Sequence, residues 1–215
     1  GGAEPAGALM RALLTNNADD LGNPGPDFKY GYGRANGLRA AKAIENGWFM
    51  ADTISQNQTD TLSIVVPAGL GELRVMVHWT DPQALVNAGT ALVNNLNATL
   101  VLDAQSWNPW VLNPTPTAAA LNANALRAVD SLNNSEQFTL ANPSGGTYKV
   151  VVNGASIPSG PQIYWVTWTF VEQDVELTYP VGGEVLVAGQ STPIRWDAPD
   201  GTGTFTLEYS NNGGA

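Results

Sequence analysis

The chain has 215 residues, of which 43% are hydrophobic and only 13% charged, with a formal net charge of −10 and no cysteine. Its basic residues are scattered singly, so nothing could follow a phosphate backbone, and nucleic acid is excluded as a partner. The lack of cysteine excludes disulfides, Cys-ligated zinc and thiol catalysis, and no apolar run reaches the roughly 18 residues of a membrane span.

The first segment, residues 1–48, has a helical pattern. Its apolar residues recur with a period close to 3.6, which predicts a first helix with one buried face that ends at Asn16 and Asn17. A second helix is predicted over 35–44 and is closed by Asn46 and Gly47, a frequent C-terminal pair. Because this segment contains no strands for its helices to cover, we expect the helices to pack on a layer encoded before this chain.

Between the two helices lies a glycine- and proline-rich turn, "NPGPDFKYGYG", at 23–33. Its glycines permit positive φ and close backbone approach. Phe28, Tyr30 and Tyr32 could supply a buried aromatic cluster. The alternative is an exposed aromatic platform that stacks on carbohydrate.

The second segment, residues 49–172, changes to a period of two. Strands are predicted for the alternating stretches 73–80, 95–103, 145–154 and 162–172, with Gly, Pro and Asn between them. Short strands at this spacing are typical of an antiparallel β-sandwich or jelly roll. About 120 residues are enough to bury an independent core.

The third segment, residues 173–215, begins another β unit. Its pattern predicts about four strands and a hairpin turn at "NNGG", 211–214. The segment is too short for a complete immunoglobulin-like or fibronectin-like sandwich. The fold class expected for the whole chain is therefore mainly β, with two leading helices, a sandwich, and a partial third module.

Several motifs resemble a known family. The stretch "ALLTNNADDLGNPGPDFKYGYGRANGLRAAKAI" is similar to the last two helices of the subtilisin-like serine peptidase domain. The stretches "LRVMVHWTDP", "ALVNNLNATLVLD" and "IPSGPQIYWVTW" resemble the C-terminal jelly roll of a subset of secreted bacterial subtilases. "YPVGGEVLVAGQSTPIRWD" is similar to an immunoglobulin-like repeat of secreted bacterial enzymes.

The resemblance implies the C-terminal accessory region of a secreted subtilisin-like serine endopeptidase. In that family the Ser-His-Asp residues would precede Gly1, so no catalytic residue can be assigned here, and whether the parent is an active enzyme stays open. The expected partners are the upstream catalytic domain and, through it, polypeptide substrates. The one histidine, His78, falls inside a predicted strand and is expected to be an ordinary residue of its polar face.

Calcium is the cofactor that the resemblance suggests. Relatives carry acidic ligands near the segments that read "VNNLNA" and "DSLNNSEQ" here, although the first has Asn where they tend to have Asp. Calcium requires six to eight hard oxygens. The candidate ligands are Asp81, Asp130 and Glu136, and the competing interpretation is that they are solvated turn residues that cap local backbone.

Two other functions remain open. Trp107, Trp110, Trp165 and Trp168 could form a sugar-binding strip on a carbohydrate-binding or adhesion module, although Trp165 and Trp168 should lie on opposite faces of one strand. The β domains could instead be spacers or export modules of a large cell-surface protein. The expected location is extracellular, in a bacterium, where the Asn-x-Ser/Thr sequences at Asn57, Asn97 and Asn133 would be unmodified.

Overall fold

The computed structural model describes residues 5–198, 204–208 and 210. These residues form three helices: α1 (Gly7–Asn16), α2 (Gly37–Glu45) and α3 (Ala118–Leu121). The strands of the same ranges are β1 (Phe49–Ile54), β2 (Thr59–Val66), β3 (Leu70–Trp79), β4 (Asn95–Leu102), β5 (Gln105–Trp107), β6 (Trp110–Val111), β7 (Leu126–Arg127), β8 (Ser135–Ala141), β9 (Gly146–Ser156), β10 (Gln162–Glu172), β11 (Glu176–Tyr179) and β12 (Arg195–Asp197).

Two four-stranded antiparallel sheets form the main body. The first sheet has the order β1-β10-β3-β8, and the second has the order β2-β9-β4-β5. The strands predicted from alternation are β3, β4, β9 and β10. The mainly β, antiparallel class expected from the sequence is therefore confirmed.

The hydrophobic core lies between these two sheets. Val75 and Val77 of the first sheet belong to one buried cluster with Leu96, Leu100 and Val150 of the second. Because side chains alternate along a strand, every second residue of each strand enters this layer. The alternation seen in the sequence thus marks the inner faces correctly.

The opposite face of the first sheet is also buried, because α1 packs across β3 and β10. All ten residues of β3 are buried, and Leu9 and Leu13 of α1 cluster with Trp165 of β10. The prediction that the leading helices find no strands to cover within this chain is therefore wrong. One face of β3 lines the core between the sheets, and α1 packs on the other face. A period of two in the sequence does not show whether the more polar face of a strand is covered by a helix or exposed to solvent.

The ends of α2 follow local rules. The Asn36 side chain accepts a hydrogen bond from the backbone N–H of Arg39 at 2.9 Å and so caps the first turn. Gly47 adopts φ +64° just after the helix, the left-handed conformation that ends many helices. The predicted C-terminal pair is confirmed, while the helix begins at Gly37 rather than at residue 35.

In the third segment, β11 pairs with β12 in a two-stranded antiparallel sheet. Residues 204–208 are not in a strand. The predicted hairpin turn at 211–214 lies outside the described residues. The described part of this segment is thus a single strand pair next to the sandwich.

Candidate functional site

Polar side chains buried where α1 and α2 meet the first sheet make up the candidate site, which we call the helix–sheet interface. Thr169 of β10 donates from Oγ1 to Asn17 Oδ1 at 2.7 Å, and Asn17 Nδ2 donates to the Leu13 carbonyl at 2.8 Å. Asn16 Nδ2 donates to the Thr167 carbonyl at 3.4 Å. Both asparagines are fully buried. The end of α1 is thus fixed to β10 by side chains rather than by apolar contact alone.

A buried ion pair supports the same interface from β3. Arg74 donates from Nε to Glu72 Oε2 at 2.8 Å, and its Nη1 donates to the Ala18 carbonyl just beyond α1. Burial lowers the pKa of Arg74, and the Glu72 carboxylate opposes that shift. A buried cation that binds a backbone carbonyl just beyond α1 positions the chain leaving the helix relative to the sheet.

Arg39 plays the corresponding part for α2. Its side chain is 3% exposed and places Nη2 3.4 Å from Asp19 Oδ1. Its Nη1 donates to the Asn17 carbonyl at 3.4 Å. Asp19 also accepts from Asn36 Nδ2 at 3.0 Å and from Arg34 Nη2 at 3.0 Å. Asp19 therefore connects both helices and the turn between them.

The turn at 23–33 is organised around Asp27. The Asp27 carboxylate accepts from the backbone N–H groups of Lys29 and Tyr30, each at 2.7 Å, and of Asn23 at 3.1 Å. Burial alone would raise the pKa of Asp27, but hydrogen bonds from Tyr30, Asn23 and Lys29 outweigh burial and hold the pKa below its usual value. Gly33, at φ +104°, lies so close to Asp19 that a Cβ would sit 1.9 Å from its carbonyl oxygen.

The aromatic residues of this turn do not form the predicted buried cluster. Phe28 is 48% exposed and Tyr30 53% exposed, so two of the three rings face solvent. Tyr32 alone turns inward, and burial raises the pKa of its phenol, which lies beside Ser135. The glycine- and proline-rich backbone of the turn is held by Asp27 and Asp19 instead of by aromatic packing.

His78 lies on the same face of β3 as Arg74, the expected polar face, and that face is buried. His78 is 2% exposed on the side of β3 that faces the helices, and its Nδ1 lies 2.6 Å from Ser135 Oγ on the neighbouring strand. Burial lowers the pKa of His78 to about 4, and Arg11 of α1 adds to this shift. The imidazole is therefore neutral at pH 7 and forms a cross-strand pair.

The three candidate calcium ligands lie in different surroundings. Asp81 accepts from the N–H groups of Val93 at 2.7 Å and Asn94 at 2.8 Å. Asp130 accepts from the N–H of Leu132 at 2.8 Å and is 2% exposed. Over the described ranges, no three His, Cys, Asp or Glu side chains are grouped so that they could hold a metal ion.

Glu136 differs from the other two candidates because one oxygen is not engaged. It is fully buried, and its Oε2 accepts from the backbone N–H of Ala98 on the second sheet. Its Oε1 and Asn95 Oδ1 have no hydrogen-bond partner among the described residues. Burial raises the pKa of Glu136 well above its usual value. Calcium at this position stays a prediction, with Glu136 as the residue best placed to contribute an oxygen.

The four tryptophans considered as a sugar-binding strip lie in different places. Trp165 packs under α1, and Trp168 packs against the core between the sheets, so the predicted opposite faces are confirmed. Trp107 stacks on Tyr148 with ring centroids 6.0 Å apart. Trp110 lies 3.6 Å from the Arg127 guanidinium and donates to Thr139 Oγ1 at 2.8 Å. They do not form one flat strip.

The faces of α1 and α2 that point away from the sheet are also rich in apolar residues. We call this set the outer arc, and it comprises Met10, Leu14, Leu38, Ala41 and Ile44. Leu14 is 45% exposed, Leu38 44% and Ile44 47%. Arg11 and Glu45 are the charged residues on these two faces. A helix that is apolar on more than one side is usually covered on more than one side.

The sequence reading missed the polar residues of the helix–sheet interface. Arg39 lies between apolar positions of α2, and Arg74 lies between the apolar residues Leu73 and Val75 of β3. A lone Arg inside such a run indicates either a solvated edge or a buried ion pair, and the partner cannot be read from the sequence. The sequence thus shows the two arginines, but whether they are buried ion pairs depends on their contacts with Asp19 and Glu72 in the folded chain.

Comparisons with known proteins do not assign this chain to a family. No protein-family model and no curated protein matches it. Among solved structures, it is similar to the crystal structure of PliG from Aeromonas hydrophila, a periplasmic inhibitor of g-type lysozyme. That similarity has a TM-score of 0.29 at 17% identity and covers 57% of this chain and 83% of the other. A TM-score this low supports no functional argument.

Within the described residues, none of the helices is both long and apolar enough to cross a bilayer.

Proposed function

We propose that this chain is the C-terminal accessory region of a secreted subtilisin-like serine endopeptidase. In this proposal the peptide bond is hydrolysed by the parent enzyme, and the chain stabilises the catalytic domain and helps to dock polypeptide substrates. The two helices complete the catalytic domain, the sandwich is a jelly roll, and the strand pair β11–β12 begins an immunoglobulin-like module.

The observation that carries the proposal is the outer arc. The inner faces of α1 and α2 are already buried against the first sheet, yet Leu14, Leu38 and Ile44 leave nearly half of their surfaces exposed. Burial of apolar surface is worth about 25 cal/mol per Å². A second layer over the outer arc would therefore be stabilising, and a catalytic domain of the same polypeptide is the layer that the family resemblance suggests.

The helix–sheet interface supports the accessory role. Asn17–Thr169 and Arg74–Ala18 fix the helices to the sandwich through directional hydrogen bonds. A domain that these helices complete would be held rigidly against the sandwich. This is how an accessory domain could raise the stability of an enzyme without contributing a catalytic residue.

Calcium is proposed as a structural ligand of the sandwich. The support is the unengaged Oε1 of buried Glu136, since a buried acceptor without a partner is costly unless a cation or water satisfies it. Asp81 and Asp130 would have to give up backbone hydrogen bonds to join the same ion. Secretion from a bacterium is proposed on the absence of cysteine and on the family resemblance.

The carbohydrate-binding alternative lacks the flat tryptophan strip that it requires, because Trp165 and Trp168 point into different layers. If the β domains are only spacers, substitutions in the outer arc should not change the stability or yield of an enzyme linked to this chain.

The experiment places Leu14→Glu and Ile44→Glu in this chain and in the longer protease that the proposal requires. We expect both to lower the melting temperature and the yield of active protease, while the isolated chain keeps its own stability to within about 0.5 kcal/mol. The matched control is Val65→Glu on β2, which is 75% exposed on the sandwich. If the outer-arc variants affect the protease no more than Val65→Glu does, the proposed function is wrong.

A further inference from the structure

The strand pair β11–β12 meets α2 through charged side chains. Asp197, the last residue of β12, accepts from Arg39 Nη2 at 2.5 Å and from Asn36 Nδ2 at 3.4 Å. The Arg39 side chain is 3% exposed and that of Asp197 is 15% exposed. A second pair, Lys42 with Glu176 at 2.5 Å, is much more open to solvent.

Arg39 depends on Asp197 for its counter-charge. Of the two carboxylates near its guanidinium, Asp19 is the more distant at 3.4 Å and is shared with Arg34. Its Nε has no hydrogen-bond partner among the described residues. A buried cation that loses one partner is strongly destabilised. The contact between α2 and β12 is therefore held largely by one charge pair.

The surroundings of this pair are loosely packed. A cavity of about 100 Å³ lies between Arg39, Trp48 and Asp197. An open groove of about 630 Å³ lies between Leu38 and Trp196 on the other side of α2. Apolar packing thus contributes little to the position of the strand pair, which depends mainly on the Arg39–Asp197 ion pair.

The connection to the sandwich is short and exposed. Residues 173–175 join β10 to β11 and are all solvent-exposed. A short exposed link allows two packed units to change orientation when few other contacts hold them. The link and the Arg39–Asp197 pair are the features that determine where the strand pair lies.

We propose that the Arg39–Asp197 pair is a latch that fixes the orientation of β11–β12 against α2, and that its release lets the strand pair swing about residues 173–175. In the latched state the strand pair keeps a fixed position relative to the helices and the first sheet. In the released state the strand pair moves independently, and the groove beside Leu38 and Trp196 opens. This inference does not depend on the proposed protease function.

The absence of cysteine makes a direct distance measurement simple, because two cysteines can be introduced for spin labels. Ser63→Cys on β2 and Leu177→Cys on β11 are both at exposed strand positions. Pulsed electron–electron double resonance then gives the distribution of distances between the spin label on the sandwich and the one on the strand pair. We expect a narrow distribution in the latched chain and a broad one in Asp197→Asn, which keeps the shape but removes the charge.

Glu176→Gln is the matched control, because it removes the solvent-exposed pair with Lys42 in the same strand pair. It should leave the distribution narrow. A broad distribution before any substitution, or a narrow one in Asp197→Asn, overturns the latch. Equal broadening by Glu176→Gln also overturns it, because the orientation would then depend on total charge.

A second measurement covers the case in which labelling perturbs the fold. A protease that cleaves after glutamate can cut at Glu172 or Glu176 beside the link. Cleavage of a linked segment follows the population of its open form. Asp197→Asn should be cut there about tenfold faster or more, with the sandwich intact by circular dichroism, and an unchanged rate counts against the latch.

Discussion

At His78 the burial of a single imidazole makes stability depend on pH. The folded chain binds a proton at this ring only below about pH 4, whereas the unfolded chain binds it below the ordinary value of 6.5. The unfolded state therefore holds more protons between these values, and stability must fall as the pH drops from about 6.5 to about 4. A shift of this size corresponds to at most about 3 kcal/mol.

We expect the free energy of unfolding, measured with urea, to decrease between pH 7 and pH 4.5. His78→Gln keeps a hydrogen-bonding group beside Ser135 but cannot titrate, so it should remove most of that decrease. If the free energy of unfolding of His78→Gln falls as steeply between pH 7 and pH 4.5 as that of the unsubstituted chain, other groups cause the decrease.

Glu136 acts in the opposite direction over part of the same range. Burial raises its pKa in the folded state, so the folded chain holds this proton after the unfolded chain has lost it near pH 4.5. Its contribution is complete below pH 4.5 and declines as pH rises through the folded value. In a chelating buffer, Glu136→Gln should therefore gain stability relative to the unsubstituted chain as pH rises. Added calcium should reverse that difference only if Glu136 binds it.

How far single residues could be predicted depended on whether their role was local. Asn46 and Gly47 end α2 as predicted, because a C-terminal cap is decided within a few residues. Phe28 and Tyr30 were assigned to a buried cluster and are exposed, since their burial depends on what packs over the turn. Glu136 was a candidate calcium ligand with a solvated turn position as the competing interpretation, and it is fully buried on β8.

At the scale of the elements, the strands were the most predictable part. β3, β4, β9 and β10 follow from alternation because one face of each lines the core between the sheets. The packing of α1 on the outer side of β3 and β10 was not predictable in this way. Thr167, Thr169 and Arg74 look like solvated residues in the sequence, and only the helix above them makes their face a buried one.

Two threonines on the same face of β10 test how α1 is held. Thr169 donates to Asn17, so Thr169→Val leaves a buried amide oxygen without its donor and should destabilise the chain by about 1–3 kcal/mol. Thr167 Oγ1 is buried with no partner among the described residues, so Thr167→Val should be neutral or stabilising. Chemical denaturation of both variants measures the difference, and equal costs would contradict the role given to the Asn17 bond.

At the scale of the whole molecule, the first sheet is covered on both sides. One face packs on the second sheet, and the other carries α1 with its buried asparagines. The sequence divides into a helical, a sandwich and a third segment, but it does not show that the sandwich is the support for the helices. That relation depends on contacts between residues as distant as Asn17 and Thr169.

Under the proposed function, the longer protease depends on the sandwich for its stability. Deleting residues 49–172 from the longer protease would expose Leu9, Leu13 and Ala43 on the inner faces of the helices. Exposed apolar surface favours unfolding, so the melting temperature should fall by several degrees. Deleting 173–215 alone is the control. It removes Asp197, the nearer counter-charge of Arg39, but keeps the apolar contacts between the helices and the first sheet, so it should lower the melting temperature less. An unchanged melting temperature after the first deletion would mean that the sandwich does not support a catalytic domain.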